Sequence, residues 1–337
     1  MRQRRFKILF VAFAAALAAS VPPTSRAMSA SGATEAVPVK AAGSGFTFTL
    51  GASVGLVSGT ASELVFDYPF GNKTKMSELT WDIKEVTVAG VQASVGLGAK
   101  FRLNAGFWSA LDEGSGGMVD RDWLYTEESF LVLTPDDDNW THESQHPDTS
   151  VDEGTMADLN LSFEALRSGA FSLLGIVGYR ADTWRWSSRG GTFIYSDESR
   201  RDTAGSFPDG AEVIRYEQNY DIPYIGIGAN WASPAFRVDA RLLLSTMVSA
   251  TDTDYHVLRE TLFEGDFSGG TYVGFGLNAA WEFAPRWFAT LGLEYESISE
   301  ITGDVTINSP EGLFHDEDGG GVALDTTLVS VGAGYRF

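Results

Sequence analysis

The sequence predicts an all-β protein, a ten-stranded antiparallel transmembrane β-barrel with long extracellular loops. Three observations support this fold class: apolar and polar residues alternate with a period of two along most of the chain, short and long connections alternate, and the final segment alternates up to an aromatic C-terminal residue. A hydrophobic content of 44% excludes a disordered chain, while a mean hydropathy of −0.06 is too polar for a bundle of membrane helices.

The first residues have the pattern of a secretory signal peptide. A basic stretch at 2–7 precedes an apolar run at 8–19 and then small residues and prolines. That run is shorter than the roughly 20 residues that a helix needs to span a bilayer. We therefore expect residues 1–20 to be a signal peptide, with cleavage as late as 27 as the alternative. Residues 21–45 are expected to form a flexible N-terminal segment, and residues 46–337 the barrel.

Ten stretches carry the strand period. They lie at 46–56, 79–97, 102–123, 158–163, 171–186, 213–231, 236–256, 272–283, 287–307 and 322–337. Short connections near 167–169, 233–234 and 285–286 predict tight turns at one end of the barrel. Long connections at 68–77, 124–150, 190–210, 257–270 and 308–321 predict loops at the other end, and an even strand number returns both termini to the periplasmic side.

The last strand favours a barrel over a soluble β-sandwich, which would also alternate. Val329, Val331 and Ala333 share one face and lead through Tyr335 to the terminal Phe337, the arrangement typical of the assembly signal of outer-membrane barrels. A sandwich would have to bury or expose a second apolar face over segments of this length, whereas a barrel places that face against lipid.

The charge and the missing cysteines exclude several classes of protein. With 24 basic and 45 acidic residues the net charge is −21, so the chain lacks the basic face that a nucleic-acid partner requires. The absence of cysteine excludes disulfide scaffolds, thiolate zinc sites and cysteine nucleophiles. The run Asp136, Asp137 and Asp138 has no calcium-ligand spacing, so we expect no metal site.

Two clusters of polar residues indicate hydrolytic chemistry. Asp120 and Asp122 are two apart on a predicted strand, so their carboxyl groups face the same way about 6–7 Å apart and can share a water or a proton. By the same rule Asp252, Asp254 and His256 share a face, and Asp254 can orient the imidazole of His256. Taken alone, the second cluster is more often a polar surface patch. Taken together, the clusters predict attack by water.

Six motifs in a fixed order resemble those of the omptin family. They are MVDRDW (118–123), WTHESQHPDT (140–149), SRGG (188–191), SFPDG (206–210), IPYIG (222–226) and DTDYH (252–256). The resemblance covers residues 46–337 and implies an outer-membrane aspartic-type endopeptidase that cuts beside basic residues, with its active site facing the exterior of the bacterial cell.

The resemblance also assigns roles to individual residues. It implies that Asp120 and Asp122 form the catalytic aspartate couple, with Asp254 and His256 as the dyad. Glu63 matches the acid at the base of the pocket for the basic P1 side chain, with Asp252 as its partner and Met118 lining the pocket. Two carboxylates around a guanidinium satisfy its charge and its hydrogen bonds.

The chain departs from the family pattern at several positions. His142 stands where an acid is usual, which weakens the expectation of a preference for dibasic sites. Ala181, Thr183 and Asn219 replace an acid and two arginines of the lipopolysaccharide-binding cluster. We therefore expect no cofactor and keep lipopolysaccharide as an alternative activator only.

The expected partners are cationic peptides or proteins and the outer-membrane lipid, with a monomer as the family expectation. Two other functions remain open from the sequence. One is a catalytically silent adhesin or receptor barrel that binds cationic or host proteins. The other is a passive pore, which ten strands enclose too narrowly to favour.

Overall fold

We describe the protein from a computed structural model, which covers residues 46–68, 73–111, 113–124, 135 and 138–337. The predicted signal peptide, residues 1–20, and the predicted flexible segment, residues 21–45, lie outside the described residues. Within the described ranges no helix is long and apolar enough to cross a membrane.

Fifteen β-strands make up almost all of the described chain. They are β1 (Thr47–Asp67), β2 (Thr74–Leu97), β3 (Phe101–Ala110), β4 (Gly114–Ser115), β5 (Met118–Asp122), β6 (His142–His146), β7 (Asp148–Ser168), β8 (Phe171–Arg189), β9 (Thr192–Tyr195), β10 (Thr203–Ser206), β11 (Glu212–Ala232), β12 (Phe236–His256), β13 (Thr261–Ala284), β14 (Trp287–Ser309) and β15 (Gly312–Arg336).

Ten of these strands close into an antiparallel ring, as the sequence predicts. The order around the ring is β1, β2, β3, β7, β8, β11, β12, β13, β14 and β15, and β15 pairs back onto β1. The closing register runs from the pair Thr49 and Arg336 to the pair Val65 and Gly320. Closure leaves no unpaired edge in the ring, which is what allows a sheet to cross a membrane.

The two ends of the barrel differ. Tight connections lie at one end, at 98–100, 169–170, 233–235 and 285–286. The start of β1 and the end of β15 lie at the same end. We call this the turn end. Gly98 and Gly169 have φ angles of 69° and 59° there, a conformation that favours glycine. At the opposite, loop end, β5 and β6 pair with each other and then with the β9–β10 hairpin, so the sheet continues beyond the ring.

Two of the long loops predicted from the sequence are wrong. The predicted loop 257–270 is only a 3-10 helix at Val257–Arg259 and one further residue, because β13 begins at Thr261. The predicted loop 308–321 is a two-residue turn between β14 and β15. Glycines and acids interrupt the apolar alternation in both segments, yet the backbone ladder continues through them because main-chain hydrogen bonds do not depend on the side chain. The predicted strand 102–123 is also interrupted, since β3 ends at Ala110 and β5 starts at Met118.

An exposed apolar band surrounds the turn-end half of the ring. Aromatic rings mark its edge at the turn end, and towards the loop end the band extends to Tyr179, Met247 and Tyr295. Its members include Leu50, Val54, Val91, Phe107, Val177, Ile225, Ile227, Leu242, Leu244, Val273, Phe275, Leu291, Leu293, Val329 and Val331, with Trp231, Trp281, Trp287 and Phe337 at the edge. A band of this kind with an aromatic girdle is the lipid-facing surface of an outer-membrane barrel. We call it the membrane belt.

A layer of aromatic rings fills the barrel interior above the membrane belt. Tyr216 stacks on Trp81 at 4.9 Å between centroids and on Trp186 at 5.8 Å, and Trp184 continues the stack. All four side chains are fully buried. This aromatic layer is the floor on which the loop-end residues rest.

The membrane belt makes a prediction about stability. Val331 lies on the outer face between Val54 and Leu291, so Val331→Arg should lower the free energy of unfolding by about 2–4 kcal/mol, because it places a charge in hydrocarbon. Denaturant unfolding in lipid vesicles measures this. The same change at Leu313, which is exposed on the loop-end hairpin, should have little effect. Equal losses at both positions would contradict the position of the belt.

Candidate active site

The aspartate pair lies on a wall built from β2, β5 and β6 at the loop end. In the strand register Asp120 is opposite Leu79 and Ser144, and Asp122 is opposite Ser77 and His142. The Ser77 hydroxyl donates a hydrogen bond of 3.2 Å to Asp120. Strand alternation therefore places both carboxyl groups on the inner face, as the i, i+2 spacing predicts.

Burial changes the protonation of this pair. Loss of solvent raises the pKa of Asp120 well above its usual value, and the neighbouring charge of Asp122 raises it further. The pKa of Asp122 is also raised, mainly by burial, while the Ser77 hydrogen bond opposes the shift. The pair thus retains a proton at a pH where exposed aspartates have lost theirs.

The second wall carries the dyad at the end of β12. His256 Nε2 lies 2.6 Å from Asp254 Oδ2, and Asp254 is buried. With Nε2 directed to the carboxylate, Nδ1 is the nitrogen left to accept a proton from a water. Asp254 Oδ1 has no hydrogen-bond partner within the described part of the chain.

The two walls face each other across one cleft. Asp254 acts electrostatically on Asp120, and His256 acts electrostatically on Asp122. Residues separated by more than 130 positions in sequence are therefore close enough to interact electrostatically. The structure brings together the four residues that the sequence selects.

The base of the cleft contains two more buried acids, Glu63 and Asp252. Burial raises the pKa of Glu63 well above its usual value, and the charges of Asp254 and Asp252 add to the shift. Burial also raises the pKa of Asp252 to about 7, although Asp252 accepts hydrogen bonds from the Tyr216 hydroxyl at 3.1 Å and the Gly265 amide at 3.0 Å. Glu63 Oε2 has no partner among the residues described.

A hydrogen-bonded chain fixes the position of Asp252 on the aromatic layer. Gln218 Nε2 donates to the Tyr216 hydroxyl and to the Ser62 carbonyl, and the Tyr220 hydroxyl donates to Gln218 Oε1. Each of these side chains is buried. Tyr216 therefore stacks within the aromatic layer and also holds Asp252 in position by a hydrogen bond.

Met118 is more buried than Glu63 and Asp252. It is opposite Trp81 in the register, is 1% exposed and belongs to the buried apolar core. Its assignment to the substrate pocket stays a prediction. Within the described residues no group of three or more His, Asp or Glu side chains has an arrangement that could hold a metal ion.

Two further residues of the site are not selected by the strand-spacing rules. Tyr195 on β9 reaches the aspartate wall, where burial and the charges of Asp120 and Asp122 raise its pKa to about 12. His146 is buried on β6 between the Ser144 hydroxyl and the Gly190 carbonyl. The contacts of Tyr195 with the aspartate wall and of His146 with Gly190 join segments that are distant in sequence, so spacing rules within one strand cannot find them.

Sequence comparison places the chain among known proteins. A model described as the Omptin family matches residues 45–337. The plasminogen activator of Yersinia pestis is 30% identical over 294 residues, which cover 86% of this chain and 90% of that protein. The outer membrane protease OmpP of Escherichia coli K12 is 27% identical over 288 residues, covering 85% and 89% of the two chains.

Structure comparison agrees on the fold. The crystal structure of the outer membrane protease OmpT from Escherichia coli superposes with a TM-score of 0.79, covering 86% of this chain and 97% of that chain at 24% sequence identity. At this identity the likeness establishes the ten-stranded barrel architecture alone.

The hydrogen bond from Tyr216 predicts a measurable effect on the pKa of Asp252. Tyr216→Phe removes the hydrogen bond that favours the ionised carboxylate, so the pKa of Asp252 should rise above about 7. Carbon-13 NMR titration of labelled aspartate in detergent micelles measures it. Tyr220→Phe is the matched control, because the Tyr220 hydroxyl bonds Gln218 and not Asp252. An unchanged Asp252 titration in Tyr216→Phe would refute the role of the tyrosine.

Proposed function

This chain belongs to the Omptin family of outer-membrane proteases, and we propose that it is an endopeptidase that cuts peptides and proteins beside arginine or lysine by direct attack of water. One observation carries the proposal: a histidine–carboxylate dyad and a proton-retaining aspartate pair face each other across a single cleft. Such an arrangement supplies a base and an acid on opposite sides of one scissile bond.

In the proposed mechanism His256 acts as the general base. Nδ1 takes a proton from a water held between the walls, and the resulting hydroxyl oxygen forms a bond to the carbonyl carbon of the scissile peptide. The Asp254 carboxylate stabilises the imidazolium that forms, because it lies 2.6 Å from Nε2.

The aspartate pair completes the reaction. Asp120 and Asp122 orient the attacking water, and their shared proton passes to the leaving amine as the carbon–nitrogen bond breaks. A carboxyl group with a raised pKa still carries a proton at neutral pH, which suits it to be the acid. The imidazolium proton returns to the solvent or to the pair, so the enzyme is regenerated without a covalent intermediate.

Glu63 and Asp252 give the preference for a basic P1 side chain. Both are buried and raise the energy of each other's charged form. A guanidinium or ammonium group that enters the pocket supplies the missing positive charge and forms charge-assisted hydrogen bonds. Met118 contributes apolar contact to the alkyl part of that side chain.

We place the cleft on the outside of the cell, at the loop end. The net charge of −21 draws cationic peptides towards it, most strongly at low salt. We propose a monomer, with lipopolysaccharide and other outer-membrane lipid as surroundings of the belt rather than a required cofactor.

Cleavage of two peptides tests the proposal directly. A fluorogenic peptide with a central arginine should be cut at that residue by the purified protein in detergent or vesicles, and the peptide with aspartate in its place should not. Absence of cleavage of the arginine peptide would leave the protein as a binding barrel.

The catalytic assignment predicts the result of single substitutions. Asp122→Asn and His256→Ala should each lower kcat by about a hundredfold or more, since each removes a group that transfers or orients a proton. Heat-modifiable gel mobility checks that the barrel remains folded. Asp304→Asn serves as control because Asp304 is an exposed acid on the outer face of β14. Activity in either variant within a fewfold of the unmodified protein would refute the mechanism.

The pocket acids predict a pH effect on substrate binding. Asp252 has a raised pKa of about 7, so it is neutral at pH 5 and ionised at pH 8. Only the ionised form attracts a cation, so KM for the arginine peptide should fall about tenfold as the pH rises from 5 to 8. Asp252→Asn should flatten this dependence of KM. A pH profile of KM identical in both proteins would count against Asp252 as the P1 partner.

A further inference from the structure

A positive charge lies at the mouth of this acidic cleft. Arg259 is the last residue of the 3-10 helix Val257–Arg259, directly after the dyad, and Glu260 with a φ of 51° turns the chain into β13. This tight connection fixes the Arg259 backbone three residues from His256. A basic residue at this position is unexpected, because the chain has 45 acidic residues and the buried charged side chains nearby are carboxyl groups.

An aromatic ring links Arg259 to the dyad. The guanidinium carbon lies 5.3 Å from the centroid of the Phe263 ring. The Phe263 ring meets the His256 imidazole edge to face, with centroids 5.4 Å apart. The cation–π contact favours a position of the guanidinium beside the reacting groups, while Arg259 itself stays exposed at the mouth of the cleft.

The charge of Arg259 reaches the opposite wall of the cleft and has no salt bridge among the described residues. It acts on Asp120, Asp122 and Tyr195, all on the opposite wall. Within the part of the chain that the structure describes, no carboxylate oxygen lies within 4.0 Å of Arg259, whereas Arg215 on the outer face of the same region pairs with Glu212. The donors of Arg259 therefore remain available at the entrance of the site.

We propose that Arg259 is a specificity-determining residue that binds a carboxylate of the substrate, while the acids at the base of the cleft hold the basic side chain. The inference rests on the proposed function and names its substrate class: peptides with a basic residue at the cleavage point and a carboxylate further along. That carboxylate is either an acidic side chain or the free C-terminus, since both present the same two oxygens to a guanidinium.

The strand geometry gives an approximate spacing for the two charges. Asp252 and His256 are four residues apart on β12, which corresponds to about 13 Å. An extended peptide advances by the same rise per residue, so the carboxylate should lie about three to six residues from the basic side chain. An acid next to the cleaved bond should instead meet the aspartate pair and be disfavoured.

A substrate series compares glutamate with glutamine. The reference peptide has a central arginine, neutral flanks and an amidated C-terminus, and glutamate or glutamine is placed at each of positions two to six on either side. A second arm removes the amide to give a free C-terminal carboxylate at the same distances. We expect glutamate at one or two positions to raise kcat/KM about tenfold over glutamine.

Charge changes at Arg259 identify the partner. Arg259→Gln should remove the glutamate preference, and Arg259→Glu should replace it with a preference for lysine at the same position. Arg215→Gln is the matched control, because it removes the same charge on the outer face, where Arg215 is opposite Tyr255 in the register. A preference that survives Arg259→Gln, or that is lost equally in Arg215→Gln, would overturn the proposal, as would equal cleavage of every pair.

Binding separates this proposal from the catalytic one. Fluorescence anisotropy with the His256→Ala protein measures the affinity of each labelled peptide without cleavage. Tighter binding of the glutamate peptides that depends on Arg259 supports the inference even if the unmodified protein cuts none of them. Equal affinity for glutamate and glutamine peptides overturns it even if cleavage beside arginine is efficient.

Discussion

The site depends on five carboxyl groups that are buried or half-buried in one small region at the loop end of the barrel. Glu63, Asp120, Asp122, Asp252 and Asp254 come from β1, β5 and β12, and within the described residues only Asp254 has a basic partner, His256. Isolated charges of one sign are costly inside a protein. The closed backbone ladder and the aromatic layer beneath hold the groups together despite this cost, and the raised pKa values of the first four are its direct consequence.

A cleft of this kind is incomplete without a cation. In the proposed function the basic side chain of a substrate supplies one at the base, where Tyr216 and the Gly265 amide orient Asp252. The protein supplies another at the mouth, where Arg259 stacks on Phe263. Under this proposal, the shortage of positive charge that keeps a proton on the aspartate pair also selects the substrate, so protonation, recognition and the acid step share one electrostatic origin.

The sequence predicts the ten-stranded ring and places the four proposed catalytic residues, because strand alternation fixes which side chains share a face. Asp120 with Asp122 and Asp254 with His256 each lie within one strand, so spacing alone is informative. The sequence does not predict the loop-end parts of some strands, such as residues 261–271 of β13, because glycines and acids interrupt the apolar alternation there. Tyr195 and Arg259 were missed for another reason: their roles arise from contacts between walls, and no pattern within one segment reports such contacts.

Calorimetry of a small guanidinium compound tests the central claim most directly. Agmatine, which carries a guanidinium group on a short alkyl chain, is titrated into the folded protein at pH 7 in buffers that differ in ionisation enthalpy. If the buried acids hold protons that a cation displaces, binding releases protons and the observed enthalpy varies with the buffer. Asp252→Asn should reduce that release. Binding with the same enthalpy in every buffer would show that the carboxyl groups are already ionised and would contradict the account.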